Sequence, residues 1–266
     1  IRLQTRNDHQ NDSNRKNLLA SSGDSMNNGE IVEFTVFRLD PSKDEKPYYI
    51  LYEIPYRSGM TVLDGLRQIL EELDPTLSLR YSCRFKICGS CAMMINGVQR
   101  LACESQVSTM GRHIKVEPLA HFRILKDLVV DIEPFLKQME AVMPYLVPKT
   151  QHQELRVDSR ELEKYKSPSD CIWCGACTST CPIASSEPYF VGPAALGQLY
   201  RFSVDSREEE GIRPLRLVLA DSEASGVWRC HQIFACTKVC PKNIDLGSLI
   251  AELKRMVLTS RLTHQT

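Results

Sequence analysis

The chain has 266 residues, of which 42% are hydrophobic and 25% are charged, and its 33 basic residues balance its 33 acidic residues. This size allows two domains with buried cores, and the neutral charge excludes a global field that would attract nucleic acid or acidic lipid. A membrane span needs roughly 18 uncharged apolar residues, and no stretch approaches this because charges interrupt even Leu125–Asp131.

The first predicted elements are a tail, a hairpin and a helix. Residues 1–30 are rich in Asn, Asp, Ser and Arg, a composition that predicts a flexible N-terminal tail. Two β-rich runs, Ile31–Arg38 and Tyr48–Tyr56, flank a polar turn and predict a hairpin. Apolar residues at helical spacing then predict a helix that begins after Thr61 as N-cap, with Asp64 three residues further on.

A cysteine-bearing loop, a hairpin at Asn96-Gly97 and a strand at His113–Glu117 complete a ferredoxin-like ββαβ sheet. Leu125–Met143 predicts an amphipathic helix that the following prolines end. We therefore predict a first domain over residues 31–145 and a helical second domain over residues 146–266.

Within the second domain the apolar pattern predicts three helices, over Ala194–Phe202, Pro214–Ala220 and Leu246–Leu258. The charged run Arg207–Gly211 predicts a solvated loop.

Eleven cysteines dominate the chain's chemistry. Their odd number, their CxxC clustering and the lack of a signal-peptide apolar core argue against a secreted disulfide scaffold and favour a reducing compartment. The first run is Cys83-x4-Cys88-x2-Cys91 with a later Cys103, which is the plant-type 2Fe-2S spacing. Zinc stays open as an alternative, although its sites more often have two CxxC pairs about 15 to 20 residues apart.

The second run is Cys171-x2-Cys174-x2-Cys177-x3-Cys181-Pro182. It matches the two-cluster bacterial ferredoxin pattern, in which the fourth cysteine ligates the other cluster. The third run is Cys230-x5-Cys236-x3-Cys240-Pro241. When the same pattern is aligned with it, Ile233 stands where a second ligand is expected. We therefore predict a 3Fe-4S cluster beside a 4Fe-4S cluster, with a water or side chain holding a fourth iron as the alternative. The predicted 4Fe-4S ligands are Cys171, Cys174, Cys177 and Cys240, and the predicted 3Fe-4S ligands are Cys181, Cys230 and Cys236.

This order of clusters, together with Arg80–Arg84, Ile87–Cys91 and Phe190–Ala195, resembles the iron-sulfur subunit of the succinate dehydrogenase and fumarate reductase family. The resemblance implies an α+β chain: an N-terminal β-grasp, plant-type ferredoxin-like domain, then an all-helical bacterial two-cluster ferredoxin-like domain. It also implies a flavoprotein partner with FAD, hydrophobic membrane-anchor subunits, and electron transfer between FAD and a membrane quinone. No dicarboxylate chemistry is then expected on this chain.

The resemblance further implies that Pro182, His231, Ile233 and Lys254 contribute to a quinone pocket. An imidazole such as that of His231 can hydrogen-bond or relay protons to a quinone oxygen. Ubiquinone-type relatives carry a tryptophan after the Cys-Pro pair, whereas this chain has Ile183–Ser186, which favours menaquinone. Trp173 and Trp228 flank cluster cysteines and are expected to pack against the clusters.

The expected location is the cytoplasmic face of a bacterial inner membrane, with the matrix side of the mitochondrial inner membrane as the alternative. Succinate oxidation and fumarate reduction both stay open. Two other functions also stay open: the electron-transfer subunit of a fumarate reductase with a thiol or other non-quinone donor, and a freestanding polyferredoxin carrier.

Overall fold

The computed structural model of the protein describes residues 26–150 and 155–263. Most of the tail expected over residues 1–30 thus lies outside the described residues. The chain divides into two compact units: one runs to Leu119 and includes Arg123–Val130, and the other holds Ala120–Phe122 and the chain from Asp131 on. Residues 131–145, which the sequence analysis assigns to the first domain, thus make their contacts within the second unit.

The first unit is built on a mixed five-stranded sheet in the order β2-β1-β5-β3-β4. The pair β1 and β5 is parallel and the other neighbours are antiparallel. Ile95 pairs with Val98 across Asn96 and Gly97, which both have positive φ, so the hairpin predicted at Asn-Gly is confirmed. The strands are β1 Ile31–Arg38, β2 Tyr48–Pro55, β3 Ala92–Ile95, β4 Val98–Leu101 and β5 His113–Glu117.

Helix α1 spans Val62–Gln68, continues as a π-helical turn over Ile69–Leu73, and has the predicted N-cap. The Asp64 backbone N–H donates to Thr61 Oγ1 at 3.1 Å, and the Thr61 N–H donates to the Asp64 carboxylate at 3.0 Å. This reciprocal pair satisfies two N–H groups at the start of the helix. Helix α2 is a single turn, Val107–Met110.

The prediction of one helix over Leu125–Met143 is wrong. Its first part is a hairpin of β6 Ile124–Lys126 and β7 Val129–Val130, and only Glu133–Glu140 forms a helix, α3. Asp127 turns the hairpin with φ +47°, and its carboxylate accepts the N–H groups of Leu39 at 3.1 Å and Ser78 at 2.9 Å. Contacts with residues distant in sequence therefore override the local helical spacing.

A buried arginine organises this side of the first unit. Arg38 is 4% exposed. Its Nε donates to Asp127 at 3.0 Å, and its Nη1 donates to Tyr52 Oη at 2.8 Å and to Asp74. Burial raises the pKa of Asp74, but hydrogen bonds from Thr76, Tyr52 and Arg38 outweigh it and hold that pKa well below its usual range. Arg38 thus joins β1, β2, the β6–β7 turn and the loop that follows α1.

We expect Arg38→Met to lower the free energy of unfolding by about 3–5 kcal/mol, because it leaves two carboxylates without their buried cation. Urea unfolding of the whole chain followed by far-UV circular dichroism measures the effect. Lys43→Met removes the same charge from an exposed side chain paired with Asp40 and should stay within about 0.5 kcal/mol of wild type. Equal effects of the two substitutions would contradict the stabilising role of Arg38.

The second unit packs its helices around α7, whose residues are nearly all buried and contact α3, α4, α8 and α10. The helices predicted over Ala194–Phe202, Pro214–Ala220 and Leu246–Leu258 are confirmed as α7, α8 and α10. Within residues 26–150 and 155–263, none of the helices is both long and apolar enough to span a membrane. The helices are α4 Ser159–Ser169, α5 Ala176–Ser179, α6 Pro182–Ser186, α7 Gly192–Ser203, α8 Ile212–Asp221, α9 Ala235–Lys238 and α10 Leu246–Thr263.

The prediction that Arg207–Gly211 is a solvated loop is wrong at Glu208, which is 1% exposed. Its carboxylate accepts a hydrogen bond from Arg216 Nη2 at 2.9 Å, and Arg216 is itself fully buried on α8. Arg216 Nη1 also donates to the carbonyl of Met143 at 2.7 Å, and Nη2 donates to the carbonyl of Tyr145 at 2.7 Å. The pair thus ties the segment after α3 to α8.

Candidate metal centres

The loops that carry the second and third cysteine runs have matching backbone conformations. After Cys171, Trp173 and Gly175 adopt positive φ of 54° and 78°, and α5 then begins. After Cys230, Gln232 and Phe234 adopt positive φ of 53° and 61° at the corresponding positions, and α9 then begins. The two loops are therefore conformational copies, a relation also visible in their cysteine spacing.

Two of the positions at which the copies differ bear on the ligand set and the backbone. Ile233, whose side chain is 55% exposed, lies at the position that Cys174 occupies in the other loop. Phe234 takes the left-handed conformation where the other copy has Gly175, which costs about 1–2 kcal/mol for a residue with a Cβ. The Phe234 ring lies over Gly247 at the start of α10, where an added Cβ would approach Phe234 Cδ1 to 2.3 Å.

Four cysteines line one apolar cavity, here called the four-cysteine cavity. Three of them come from the second run, and Cys240 comes from the third. Trp173 contributes to its wall, whereas Trp228 instead donates its Nε1 hydrogen to Asp221 at 2.7 Å. The remaining wall is Phe135, Ile172, Gly175, Ala194, Pro241, Lys242, Ile244 and Leu246, beside Cys171, Cys174 and Cys177.

A second apolar cavity, the three-cysteine cavity, is lined by Cys181 from the second run together with Cys230 and Cys236. Three of the four expected quinone-pocket residues, Pro182, His231 and Ile233, lie in its wall. The fourth does not line it, since Lys254 on α10 donates its Nζ hydrogen to the Cys230 carbonyl at 2.7 Å. Its other lining residues are Ile183, Phe190, Pro193, Gln232, Phe234, Ala235 and Gly247.

Burial makes these thiols hard to ionise. It raises the pKa of Cys174 and of Cys236 to about 11, and it raises the pKa of Cys177 well above its usual value. Thiolates are nevertheless the form that binds metal. Such a site ionises when a bound cationic centre repays the desolvation cost, so the donor set fits iron-sulfur clusters.

The cysteines surround cavities rather than points. Among the described residues, no three His, Cys, Asp or Glu side chains converge where one metal ion would suit them. A polynuclear cluster instead needs ligands spread around the volume that it fills, and both cavities have this arrangement.

The first cysteine run lies in a loop that directs backbone N–H groups at one sulfur. The N–H groups of Phe85, Ile87 and Cys88 donate to Cys83 Sγ at 3.4, 3.4 and 3.2 Å. Positive φ angles at Arg84, Lys86 and Gly89 turn the chain around that sulfur. Hydrogen bonds of this kind stabilise a negatively charged sulfur, as a cluster ligand requires.

The other thiols of this run have contrasting environments. Burial opposes ionisation of Cys88, but hydrogen bonds from the Ser90 side chain and from backbone N–H groups outweigh it and lower its pKa. Burial raises the pKa of Cys91, just before β3. Cys103 lies just after β4. The last two thiols therefore flank strands of the sheet, and the first two lie in the loop.

The sequence analysis missed two residues near the four-cysteine cavity, Gln198 and Arg201 on α7. Gln198 is 2% exposed, and its Nε2 donates to the Pro168 carbonyl, which also accepts the Cys171 N–H. The only signal was a polar residue inside an otherwise apolar helical run, and periodicity does not say what such a residue contacts.

We expect Gly247→Ala to destabilise the second unit by about 1–3 kcal/mol, because the added methyl group overlaps the Phe234 ring. Thermal unfolding followed by circular dichroism measures the change. The control is Gly211→Ala, since a Cβ there meets no atom within 4 Å. A loss no larger than that of the control would show that the ring moves aside freely.

Protein-family comparisons match both cysteine-bearing regions. Residues 33–137 match a 2Fe-2S iron-sulfur cluster binding domain, and residues 167–244 match a 4Fe-4S dicluster domain. The chain is therefore an iron-sulfur protein with a ferredoxin-type domain in each half.

Its relatives identify the particular family. The chain is 36% identical over 243 residues to the fumarate reductase iron-sulfur subunit of Haemophilus influenzae, covering 86% of this chain and 94% of that one. It is 39% identical over 236 residues to the subunit of the same name from Mycobacterium tuberculosis, covering 87% and 94%. The chain belongs to the family of fumarate reductase iron-sulfur subunits.

A solved structure has the same fold. It is a chain of the Mycobacterium smegmatis Sdh1 complex in the apo form, with a TM-score of 0.79 and 24% identity over 88% of this chain and 98% of that one.

Proposed function

We propose that this chain is the electron-transfer subunit of a succinate:quinone or quinol:fumarate oxidoreductase. It carries electrons between the FAD of a flavoprotein subunit and a quinone in the membrane. The observation that carries the proposal is the pair of cysteine-lined cavities in a chain that spans nearly the whole length of fumarate reductase iron-sulfur subunits. That length of match does not favour a freestanding polyferredoxin or a subunit for a thiol donor.

Three ligand sets follow. Cys83, Cys88, Cys91 and Cys103 hold a 2Fe-2S cluster. Cys171, Cys174, Cys177 and Cys240 hold a 4Fe-4S cluster. Cys181, Cys230 and Cys236 hold a 3Fe-4S cluster. Bound clusters of these types supply one-electron transfer at potentials set by net charge, hydrogen bonds to sulfur and exposure.

The protein's own contribution is to hold charge and exclude water. The N–H groups around Cys83 stabilise its sulfur, and apolar side chains such as Phe135 and Phe190 line the two cavities of the second unit. Succinate and fumarate are converted on the flavoprotein, so no residue here acts on a dicarboxylate. The chain belongs to an oxidoreductase as its electron-conducting subunit.

The proposed domain folds are a β-grasp first domain and an all-helical, two-cluster ferredoxin-like second domain. The parallel pairing of β1 with β5 at the centre of the sheet, with α1 following the first hairpin, supports the β-grasp assignment. The matching loops before α5 and α9 support the two-cluster assignment.

The quinone end of the path lies at the three-cysteine cavity. Pro182, His231 and Ile233 line it, and the side chain of Ile233 is more than half exposed. His231 would hydrogen-bond a quinone oxygen, and Lys254 would support the pocket through its hydrogen bond to the Cys230 carbonyl. The segment Ile183–Ser186 offers no indole, which favours menaquinone. Hydrophobic anchor subunits would hold this end against the cytoplasmic face of a bacterial inner membrane.

We expect Ile233→Cys to replace the three-iron signal of the oxidised protein with the signal of a reduced four-iron cluster, because it restores the thiol missing from the second copy. Electron paramagnetic resonance of the purified complex measures this. Gln232→Cys, which adds a thiol one residue away in the same loop, should keep the three-iron signal. If the signal of Ile233→Cys also stayed unchanged, the ligand assignment would be wrong.

Purification of the affinity-tagged chain from membranes tests the subunit assignment. We expect a flavoprotein with bound FAD and hydrophobic subunits to copurify, and the complex to reduce a quinone analogue with succinate or to oxidise the quinol with fumarate. Recovery of a cluster-loaded but unaccompanied chain, active as a diffusible carrier, would favour the polyferredoxin alternative.

A further inference from the structure

Gln198 links the backbone beside Cys171 to a cation on the same helix. Its Nε2 donates to the Pro168 carbonyl at 3.3 Å, and the same carbonyl accepts the Cys171 N–H at 3.4 Å. Its Oε1 accepts a hydrogen bond from Arg201 Nη1 at 3.4 Å. The amide is fixed on both sides, so its donor group is held beside the backbone of Cys171.

Arg201 brings a positive charge that is only partly compensated. Its Nε is buried without a hydrogen-bond partner, and its guanidinium lies 4.6 Å from the centroid of the Phe202 ring. Asp205, an acid just after the end of α7, accepts two hydrogen bonds from Arg207, at 2.9 and 2.7 Å. Because Arg201 is half-buried, water screens its charge less than that of an exposed cation.

We propose that Gln198 and Arg201 are positioning residues that raise the reduction potential of the cluster held by Cys171. Reduction adds one electron and therefore one negative charge to the cluster and its thiolates. A fixed N–H donor and a nearby cation stabilise the reduced form more than the oxidised form. The inference rests on the proposed function, which assigns Cys171 to a 4Fe-4S cluster.

The corresponding cysteine of the other copy has a different partner. Cys230 accepts the Lys254 hydrogen bond on its carbonyl oxygen, and the donor comes from α10. Gln198 and Arg201 line neither cavity, but their hydrogen bonds lead to the Pro168 carbonyl beside Cys171 and not to the loop of Cys230. Changes at these two residues should therefore affect one cluster and spare the other, which provides an internal reference.

The test is a redox titration of the intact complex with dithionite, which supplies the electrons, followed by electron paramagnetic resonance. At a fixed potential, Gln198→Met should lower the reduced-to-oxidised ratio of the four-iron cluster about tenfold, equivalent to a midpoint about 59 mV lower for a one-electron couple. Arg201→Met should lower it in the same direction by a smaller factor. The double variant should fall short of the product of the two effects, because Arg201 acts partly through Gln198.

Two controls separate tuning from general damage. Arg201→Lys keeps the charge and should keep most of the wild-type potential. Lys137→Met removes an exposed cation that is paired with Glu133 on α3, the helix that also carries Phe135 of the cavity wall, and should leave the midpoint unchanged.

The outcomes are distinct. Loaded Gln198→Met and Arg201→Met variants whose four-iron midpoint matches wild type would overturn the inference. If Gln198→Met loses the cluster, the inference is tested by comparing Arg201→Met with Arg201→Lys. Equal midpoint potentials of the four-iron cluster in these two variants would overturn the inference. Absence of a four-iron signal from the wild-type complex would instead overturn the proposed function.

Discussion

Burial of cysteine thiols in apolar cavities is the constraint on which the second unit depends. A thiol at the position of Cys177 is deprived of water and resists ionisation, so the cavity holds a stable charge only with a cationic centre inside it. Seven thiols face the two cavities, and the helices around α7 pack against the same walls. Folding of this unit and loading of its metal centres are therefore coupled processes.

The first unit supports its cysteine sulfurs in a different way. Its cysteines lie on an exposed loop and at the ends of short strands, and three backbone N–H groups converge on Cys83. Here hydrogen bonds rather than apolar walls support the sulfur. The hydrogen bonds of Arg38 to Asp74 and Thr76 fix the segment between α1 and this loop. They therefore support the position of the loop without contacting its cysteines.

Local patterns predicted the elements whose reasons are local. Alternation predicted β1, the Thr61 capping box predicted the start of α1, and helical spacing predicted α7, α8 and α10. The failures have non-local causes: Asp127 leaves the helical conformation for partners at Leu39 and Ser78, and Glu208 is buried by Arg216. At the site, cysteine spacing located the thiols that line the cavities. It gave no access to Gln198, because no spacing rule links a polar residue on α7 to a loop that precedes it by some 27 residues.

Each cavity of the second unit borrows a wall residue from the other copy. Cys181 follows α5 but faces the three-cysteine cavity, and Cys240 follows α9 but faces the four-cysteine cavity. Neither half can thus be completed before the other has been synthesised and folded against it. Oxidative loss of iron from one centre would in turn free a thiol next to the second. Because Cys181 and Cys240 each face the cavity of the other copy, the two centres are expected to assemble together and to be damaged together.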